Sequence, residues 1–395
     1  MGFITEIVYL SIVLVCFIYL IILVQNSKTE WELIDLDESS YPLVSIIVPT
    51  LNEENNIGKC LESLLELDYS NKEIIVIDGG STDKTSKEVS RYPVKYFEDP
   101  YLPKGWVGKS YGCHLGFLKS KGDILLFTDA DTFHSPKSLN ITVRHLLGTD
   151  SDLFSMQPFQ ECKKWYEHLV SYFYFFGFLV GGPINDINNR YNKDSFLAIG
   201  QYMLFTRKGY ENLGGHLAVS SSLVEDLALA KLCKEKELKL NFMNYSGLVS
   251  TRMYPTGFKD FYRGFKKSIA GGILTAKFWR MVFIAFWLAY YLLAPYFLIQ
   301  SFIMKPDWFF LDYSIGILVN SALYLAFAVS VWWYWRTKGN WNALFFLLYP
   351  LTMLIDFIMI LIAVYAGIRG NPVIWKTRYY STKPSISEDK VRTNE

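Results

Sequence analysis

Two aspartates, one residue apart, stand in the sequence FTDADTFHSP at 127–136. The apolar stretch before them predicts a buried strand, so Asp129 and Asp131 follow its end directly. Carboxylate oxygens suit a hard divalent cation such as Mg²⁺ or Mn²⁺. Such a cation can neutralise negative charge that develops as a bond breaks. The alternative is a solvated turn, where acids are common.

Two earlier segments predict strands that also end at acidic residues. Residues 43–49 and 73–78 are rich in β-branched side chains, and the apolar positions between them have helical spacing. This order predicts a parallel βαβ unit. Residues 82–92 and 108–121 are predicted to be helices, and 123–128 a third buried strand. The sequence therefore predicts an α/β fold with a mostly parallel, Rossmann-like sheet.

Ligands of an open parallel sheet bind at the carboxyl ends of its strands. The stretch from Asp78 to Ser81 lacks the spacing of a phosphate-binding loop, and its leading acid would repel a phosphate. An acid there suits a sugar hydroxyl or a base N–H better. Glu54 and Asp83 equally suit helix N-termini. The candidates after the first two strands are Pro49, Asn52, Glu53, Asp78 and Gly80.

The composition indicates a membrane protein. The 395 residues are 51% hydrophobic and only 19% charged, which is too apolar for an ordinary soluble enzyme of this size. Long apolar runs cover 4–24, 278–304, 309–335 and 341–367, and each is long enough to cross a bilayer. We predict an anchor at 1–26, a catalytic domain at 40–275, a membrane region of about three helices at 276–368 and a basic tail at 369–395.

Basic residues place the middle domain in the cytoplasm. Arg263, Lys266, Lys267, Lys277 and Arg280 precede the second apolar run, and such residues mark the cytoplasmic side. Three further crossings would put the tail outside, yet the tail is basic. Either one run is re-entrant or the charge rule fails here.

Composition and cysteine spacing exclude several classes of partner. The net charge is +1, and no basic stripe with interleaved aromatic residues indicates nucleic-acid binding. Five cysteines are widely spaced without a CxxC pair, which argues against a disulfide framework or a zinc site. The stretch 169–180 is apolar but too short to span, which leaves an interfacial helix, a path for a lipid or a core helix.

Five segments together resemble the inverting family 2 glycosyltransferases with a GT-A fold, a nucleotide-diphospho-sugar transferase fold. They are VSIIVPTLNEENNI, IVIDGGSTDKT, GKSYGCHLG, FTDAD and LVEDLALA, and the similarity covers about 43–275. The later segments SMQPFQ, GGH, RMYPTGF and WKTRYY are similar to membrane members related to diaponeurosporenoate glycosyltransferase, and more distantly to ceramide glucosyltransferase. The resemblance implies a nucleotide-sugar donor.

The resemblance also implies roles for single residues. It makes Asp78 a contact of the base, Lys109 a neighbour of the diphosphate, and Asp131 the direct metal ligand with Asp129 beside it. Pro49, Asn52, Glu53 and Gly80 would lie in the nucleotide-contacting loops.

The base that the resemblance implies is Asp226, with Glu225 as support. A carboxylate must take the proton of the acceptor. Glu225 is a rival, because close relatives keep the first acid and vary the second, and both acids also suit a helix N-terminus. Lys267, Gln201 and His216 are candidates for the diphosphate or the acceptor, and Lys267 equally suits lipid headgroups.

These observations predict an integral protein of the cell membrane that moves a hexose, with UDP-glucose as the expected donor, to a membrane lipid. A divalent cation, Mg²⁺ or Mn²⁺, is the expected cofactor. One rival is a processive polysaccharide synthase, which the absence of a QxxRW motif disfavours. The other is a non-enzymatic membrane scaffold with a degenerate transferase domain. The sequence leaves the oligomeric state open.

Overall fold

The computed structural model describes residues 3–25, 30–37, 41–171, 181–244, 247–272, 278–304, 313–369, 373–375 and 378–380. The described strands are β1 (Val44–Thr50), β2 (Lys72–Asp78), β3 (Lys95–Glu98), β4 (Ile124–Phe127), β5 (Thr132–His134), β6 (Leu153–Met156), β7 (Phe159–Gln160), β8 (Met203–Thr206), β9 (Leu240–Met243), β10 (Val249–Thr251), β11 (Val373–Trp375) and β12 (Arg378–Tyr380).

The described helices are α1 (Phe3–Gln25), α2 (Ile57–Leu65), α3 (Thr85–Val89), α4 (Gly108–Lys119), α5 (Ser138–Gly148), α6 (Ile184–Asn188), α7 (Arg207–Leu213), α8 (Glu225–Glu235), α9 (Phe258–Gly272), α10 (Phe278–Ile303), α11 (Tyr313–Trp335), α12 (Ala343–Leu347) and α13 (Tyr349–Ile368). Two 3₁₀ helices cover Trp165–Leu169 and Gly215–Val219.

A seven-stranded sheet forms the centre of the catalytic domain. Its order is β3-β2-β1-β4-β8-β6-β9, and only β8 runs antiparallel to its neighbours. Thr50 pairs with Asp78 and Ile47 with Phe127, so β1, β2 and β4 end at the same edge. The mostly parallel sheet predicted from the sequence is confirmed.

The central strands are apolar throughout because both faces of the sheet are covered. In β1, Ile46 and Val48 pack into one core and Ile47 into the other. Such burial explains why β1, β2 and β4 read as continuous apolar runs. β3 lies at the sheet edge and is largely exposed, so it lacks the apolar signal that marked its neighbours.

Within the described residues, three helices are long and apolar enough to cross a membrane, with candidate stretches Ile4–Ile22, Ile284–Ile303 and Tyr313–Trp335. They lie at both ends of the chain, as predicted. α1 packs on α10, where the rings of Tyr9 and Phe297 stack 4.4 Å apart. α10 packs on α11, where Tyr290 and Phe327 meet 4.6 Å apart.

Two sequence predictions need correction. The apolar run 341–367 is not one continuous helix: it divides at Leu348 into the short α12 and the 20-residue α13 (Tyr349–Ile368). The break lies next to Pro350, whose ring cannot continue a helix from the preceding turn. The helix expected over 82–92 covers only Thr85–Val89. Most of the apolar stretch 169–180 lies outside the described residues.

Candidate functional site

A pocket of about 210 Å³ opens at the edge where β1, β2 and β4 end. The helical elements add the first turns of α4 and α8 and one face of α9. Most of the residues predicted from the sequence line it, namely Pro49, Glu53, Lys109, Asp129, Asp131, Gln201, Glu225, Asp226 and Lys267. Asn52, Asp78, Gly80 and His216 do not.

Lys109 joins the two acidic segments of the pocket. Its Nζ lies 2.6 Å from Asp129 Oδ1 and 2.8 Å from Glu225 Oε1. Burial alone would lower the pKa of Lys109, but the neighbouring carboxylates raise it well above its usual value. The lysine therefore stays charged and holds together acids that are far apart in the sequence.

Glycines in α4 bring Lys109 to this position. A side chain at Gly116 would collide with Ile47 of β1, and one at Gly112 would lie 3.1 Å from Pro49 Cβ. The helix can therefore approach the strand closely. Its first turn, which carries Lys109, then reaches the strand ends.

Glu225 and Asp226 are adjacent but differ in environment. Glu225 is 2% exposed. Burial would raise its pKa, but the ammonium groups of Lys109 and Lys267 lower it to about 2. Asp226 accepts hydrogen bonds from two backbone N–H groups, those of Gly200 (2.9 Å) and Leu227 (2.7 Å). Burial and the Glu225 carboxylate raise its pKa to about 6. Asp226 is thus the one whose pKa suits proton transfer near neutral pH.

Gly200 is a site residue that the sequence interpretation missed. A Cβ there would lie 2.6 Å from Lys109 Nζ and 3.2 Å from Asp226 Oδ2, so only glycine leaves room for both side chains. Its N–H also holds Asp226. The available signal was a glycine shortly before a strand, in AIGQYM.

The acids after β4 could supply only some of the ligands of a divalent cation. Asp129 and Asp131 line the pocket and offer hard oxygen ligands. Among the residues that the structure describes, no group of three or more His, Cys, Asp or Glu side chains converges as a metal cage. Mg²⁺ commonly binds one or two carboxylates and takes its other ligands from water and phosphate. The residues present fit that mode.

Asp78 lies behind the pocket surface and organises the loop after β2. It is 1% exposed, and its Oδ1 accepts hydrogen bonds from the Gly80 N–H (3.0 Å) and from the backbone and hydroxyl of Ser81 (2.8 and 2.7 Å). Its Oδ2 accepts one from the Tyr96 hydroxyl (2.9 Å). Asp78 therefore shapes the loop after β2, and its expected contact with a base stays a prediction.

Asn52 and Gly80 belong to the same loop structure. The Asn52 Oδ1 accepts a hydrogen bond from the Thr82 N–H (2.8 Å), which ties the loop after β1 to the loop after β2. Gly80 has φ +90°, and a side chain there would lie 2.8 Å from Pro100 Cβ. Both residues are half-buried, and neither lines the pocket.

The acid that does line this end of the pocket is Asp99, which the sequence interpretation missed. It follows β3, and the Tyr111 hydroxyl lies 3.4 Å from its Oδ2. Its backbone N–H donates to the Asp78 carbonyl (2.8 Å). The signal was the same as for the other acids, an acid after a strand, but β3 is exposed and gave no apolar run.

Of the three remaining candidates, two line the pocket and one does not. Gln201 and Lys267 line the pocket. His216 does not: it is fully buried, bonds the Tyr210 hydroxyl through Nδ1 (2.8 Å) and packs on Phe127. Burial lowers the pKa of His216 to about 3, so it is neutral. The expectation that His216 touches an acceptor is wrong because the core encloses it.

Comparison with known proteins identifies the class of enzyme. Residues 45–214 match the family described as glycosyl transferase family 2. The chain is a family 2 glycosyltransferase. The matched residues include every strand exit described above, and they end before Glu225 and Asp226.

This glycosyltransferase also resembles curated proteins beyond the family domain. It is 30% identical over 249 residues to 4,4'-diaponeurosporenoate glycosyltransferase of Staphylococcus haemolyticus, an alignment covering 62% of this chain and 66% of that one. It is 26% identical over 349 residues to the protein of the same name from Staphylococcus aureus strain USA300, covering 87% of this chain and 89% of that one.

The fold of this glycosyltransferase has a counterpart among solved structures. A mannosyltransferase from Pyrobaculum calidifontis, determined in complex with GDP-Man and Mn²⁺, aligns with 92% of this chain and 98% of its own, at a TM-score of 0.55 and 16% identity. At that identity the similarity shows the fold alone. It supports the GT-A fold expected from the sequence.

Proposed function

We propose that this glycosyltransferase is membrane-bound and inverting, and that it moves a hexose from UDP-glucose to an apolar membrane acceptor. The observation that carries the proposal is the single lysine that holds Asp129 and Glu225 at 2.6 and 2.8 Å, with Asp226 beside them. Groups suited to a diphosphate and a group suited to proton transfer thereby share one pocket.

The donor half of the proposal rests on the strand exits. Asp99 and the Tyr111 hydroxyl offer hydrogen bonds to the edge of a base, and Lys109 and Lys267 offer positive charge to a diphosphate. Asp131, with Asp129, would hold Mg²⁺ or Mn²⁺. When bound, such a cation neutralises charge on the leaving diphosphate. The Pyrobaculum calidifontis mannosyltransferase, which shares the fold, was determined with a nucleotide sugar and Mn²⁺.

The acceptor half rests on Asp226. A carboxylate held by two backbone N–H groups has a fixed direction, so it can take a proton from an acceptor hydroxyl as the new bond forms. The relatives named for diaponeurosporenoate, a carboxylate, support an apolar acceptor. A carboxylate acceptor is already ionised at neutral pH and needs no base. Transfer to a hydroxyl should therefore depend on Asp226, whereas transfer to a carboxylate should not.

We also propose that the catalytic domain lies on the cytoplasmic side of the cell membrane and that α13 does not cross. The loop before α12 is bonded to the catalytic domain, where Gln160 N–H donates to the Lys338 carbonyl (2.9 Å). After α13, β11 packs beside α9 of the same domain. These two contacts support the placement of both ends of the α12–α13 segment on the domain side. This arrangement keeps the basic tail cytoplasmic and removes the conflict with the charge rule.

A donor panel tests the enzymatic proposal. Purified protein in lipid nanodiscs is given UDP-glucose, other UDP-sugars or GDP-mannose, and released nucleoside diphosphate and labelled lipid are measured with Mg²⁺, Mn²⁺ or EDTA. We expect glycolipid formation with UDP-glucose that EDTA and Asp131→Ala abolish. The surface variant Asp68→Asn serves as the matched control.

Each alternative has its own result in this panel. A soluble polymer in place of a glycolipid would establish the processive synthase. Full activity of Asp131→Ala in EDTA would exclude the cation. Product from GDP-mannose alone would replace the proposed donor.

Cysteine accessibility tests the topology. All five native cysteines are buried, so introduced ones are labelled selectively. A membrane-impermeant maleimide on intact cells should label Asp307→Cys, between α10 and α11, and should label Ser387→Cys in the tail only after lysis. Labelling of both in intact cells would show that α13 crosses.

A further inference from the structure

Two large aromatic rings are exposed side by side on the catalytic domain. Trp165 is 57% exposed and Phe258 40% exposed, and their rings stack nearly parallel with centroids 5.7 Å apart. An isolated exposed ring is ordinary, whereas these two rings in contact form one continuous apolar surface. Neither ring lines the pocket.

This pair lies next to the ends of the apolar helices. Cys162, shortly before Trp165, exchanges two hydrogen bonds with Asn340, which follows the end of α11: its N–H donates to the Asn340 Oδ1 (2.6 Å), and the Asn340 Nδ2 donates to its carbonyl (3.0 Å). The 3₁₀ helix that begins at Trp165 packs on α12, where His168 and Phe345 meet 4.8 Å apart. The two rings therefore lie level with the domain-side end of the spanning helix α11.

The surroundings of the rings are basic. Lys163 and Lys164 precede Trp165, Lys259 follows Phe258, and all three are exposed. The nearby acid Asp260 is engaged by Thr256 and by Arg263. Aromatic rings with flanking lysines are typical of the boundary between lipid tails and headgroups. Each lysine close to an anionic membrane adds to the electrostatic attraction.

The exposed surface continues onto α12. Leu344, Leu347 and Leu348 are 51, 41 and 42% exposed, on the helix that packs against the 3₁₀ helix of Trp165. At the end of α11, Arg336 lies over the exposed Trp333 ring at 3.7 Å, as in an aromatic belt with a snorkelling cation. Aromatic, leucine and basic side chains therefore meet at one level of the molecule.

We propose that Trp165, Phe258, Lys163, Lys164 and Lys259, the aromatic-basic patch, rest in the headgroup layer and bind anionic phospholipid. The proposal rests on the membrane insertion of the spanning helices, but not on the identity of donor or acceptor. Charge complementarity and continuity with the helix ends select a lipid surface as the occupant.

The patch is mechanically connected to the pocket. Tyr166, in the 3₁₀ helix, donates a hydrogen bond from its hydroxyl to the Tyr254 carbonyl (3.1 Å), and Tyr254 lines the pocket. Phe261 of α9 contacts both tyrosine rings. Lipid bound at the patch would hold this side of the pocket against the membrane surface, where an apolar acceptor resides.

Fluorescence quenching in nanodiscs tests the patch. Trp165→Cys in the full chain is labelled with the environment-sensitive dye NBD, with Leu118→Cys as control. Leu118 is 60% exposed near the end of α4, away from the strand ends that form the pocket. The nanodiscs contain phosphatidylcholine with or without phosphatidylglycerol, and a lipid carrying a headgroup-level quencher.

We expect NBD at position 165 to emit at shorter wavelength and to be quenched, and more strongly with phosphatidylglycerol, whereas position 118 stays unquenched. Lys163→Glu with Lys259→Glu should remove the phosphatidylglycerol-dependent part only. Equal quenching in both lipids would overturn the anionic-lipid assignment, and an unquenched position 165 in protein that stays in the nanodisc would overturn the patch itself. Release of nucleoside diphosphate by each variant reports folding, and its failure in the wild type would count against the proposed function instead.

Discussion

The two ends of the pocket use carboxylates in different ways. At the β2 end, Asp78 is enclosed and its oxygens accept hydrogen bonds from Gly80, Ser81 and Tyr96. At the opposite end, Asp129 and Glu225 face a single lysine. Carboxylates therefore have two roles around this pocket. One stabilises a loop by accepting its hydrogen bonds, and the others keep negative charge at the pocket surface.

The partners of a carboxylate explain the difference. Backbone N–H groups and a tyrosine hydroxyl belong to the folded protein and cannot leave, so Asp78 is committed to the loop. A lysine side chain can move when a ligand arrives, so the carboxylates around Lys109 can exchange it for other positive charge. Asp226 combines both situations, because two backbone N–H groups orient it while its neighbour Glu225 raises its pKa.

The largest effect should come from Asp226→Asn. The amide keeps a similar shape but cannot take a proton, so we expect transfer to a hydroxyl acceptor to fall by about 10²–10⁴-fold. Labelled glycolipid is the readout, and binding of the nucleotide sugar should persist. A loss below about tenfold would indicate an acceptor that is already ionised, or a different base.

Gly200→Ala tests the close contact in which Lys109 and Asp226 meet. The new Cβ would lie 2.6 Å from Lys109 Nζ, so the lysine must shift. Misplacing such a group should lower kcat by about 10- to 100-fold. Gly257→Ala is the matched control, because nothing lies within 4 Å of a Cβ there. Equal rates for both variants would contradict the role given to Gly200.

The pH dependence of kcat/KM tests the difference in pKa between Glu225 and Asp226. Asp226 is protonated below its pKa of about 6, so kcat/KM should fall as the pH decreases through about 6. Glu225→Gln removes the charge that raises this pKa, and the fall should move to lower pH by about one unit. Glu235→Gln, an exposed change on the same helix, should leave the profile unchanged. If the pH profile of Glu225→Gln is unchanged, the Glu225 carboxylate does not raise the pKa of Asp226.

The smallest effect on catalysis should come from Asp78→Ala, which tests the structural role of the carboxylate at the β2 end of the pocket. Its buried donors lose their acceptor, at about 1–3 kcal/mol for a buried group without a partner, so Tm should fall. Asp99→Asn should instead weaken nucleotide-sugar binding at unchanged Tm. Calorimetry and thermal unfolding measure the two. The reverse pattern would restore Asp78 as the base contact.

Local sequence patterns predicted the central strands and the long apolar helices at both ends of the chain well. β1, β2 and β4 are buried on both faces, so burial leaves a continuous apolar run that is visible in the sequence. β3 is an exposed edge strand, and its sequence resembles a loop. Asp99 was missed for that reason alone.

Prediction of the site residues from local sequence was limited in a similar way. The acids at 129, 131, 225 and 226 were found because a motif places them at strand or helix ends. The failure with His216 has another cause, since a histidine in a glycine-rich segment gives no indication of whether the core encloses it. Phe127, which packs on the imidazole, comes from a distant part of the chain, whereas Tyr210 lies only six residues before His216.

The sequence by itself determined the strand exits, the family resemblance and the apolar helices at both ends, because each depends on residues close together in the chain. The tertiary structure decided which acids reach the pocket, that Lys109 lies between Asp129 and Glu225, and that Gly200 leaves room for it. It also divided the last apolar run at Leu348. Those outcomes depend on distances between segments far apart in the chain, and packing alone sets such distances.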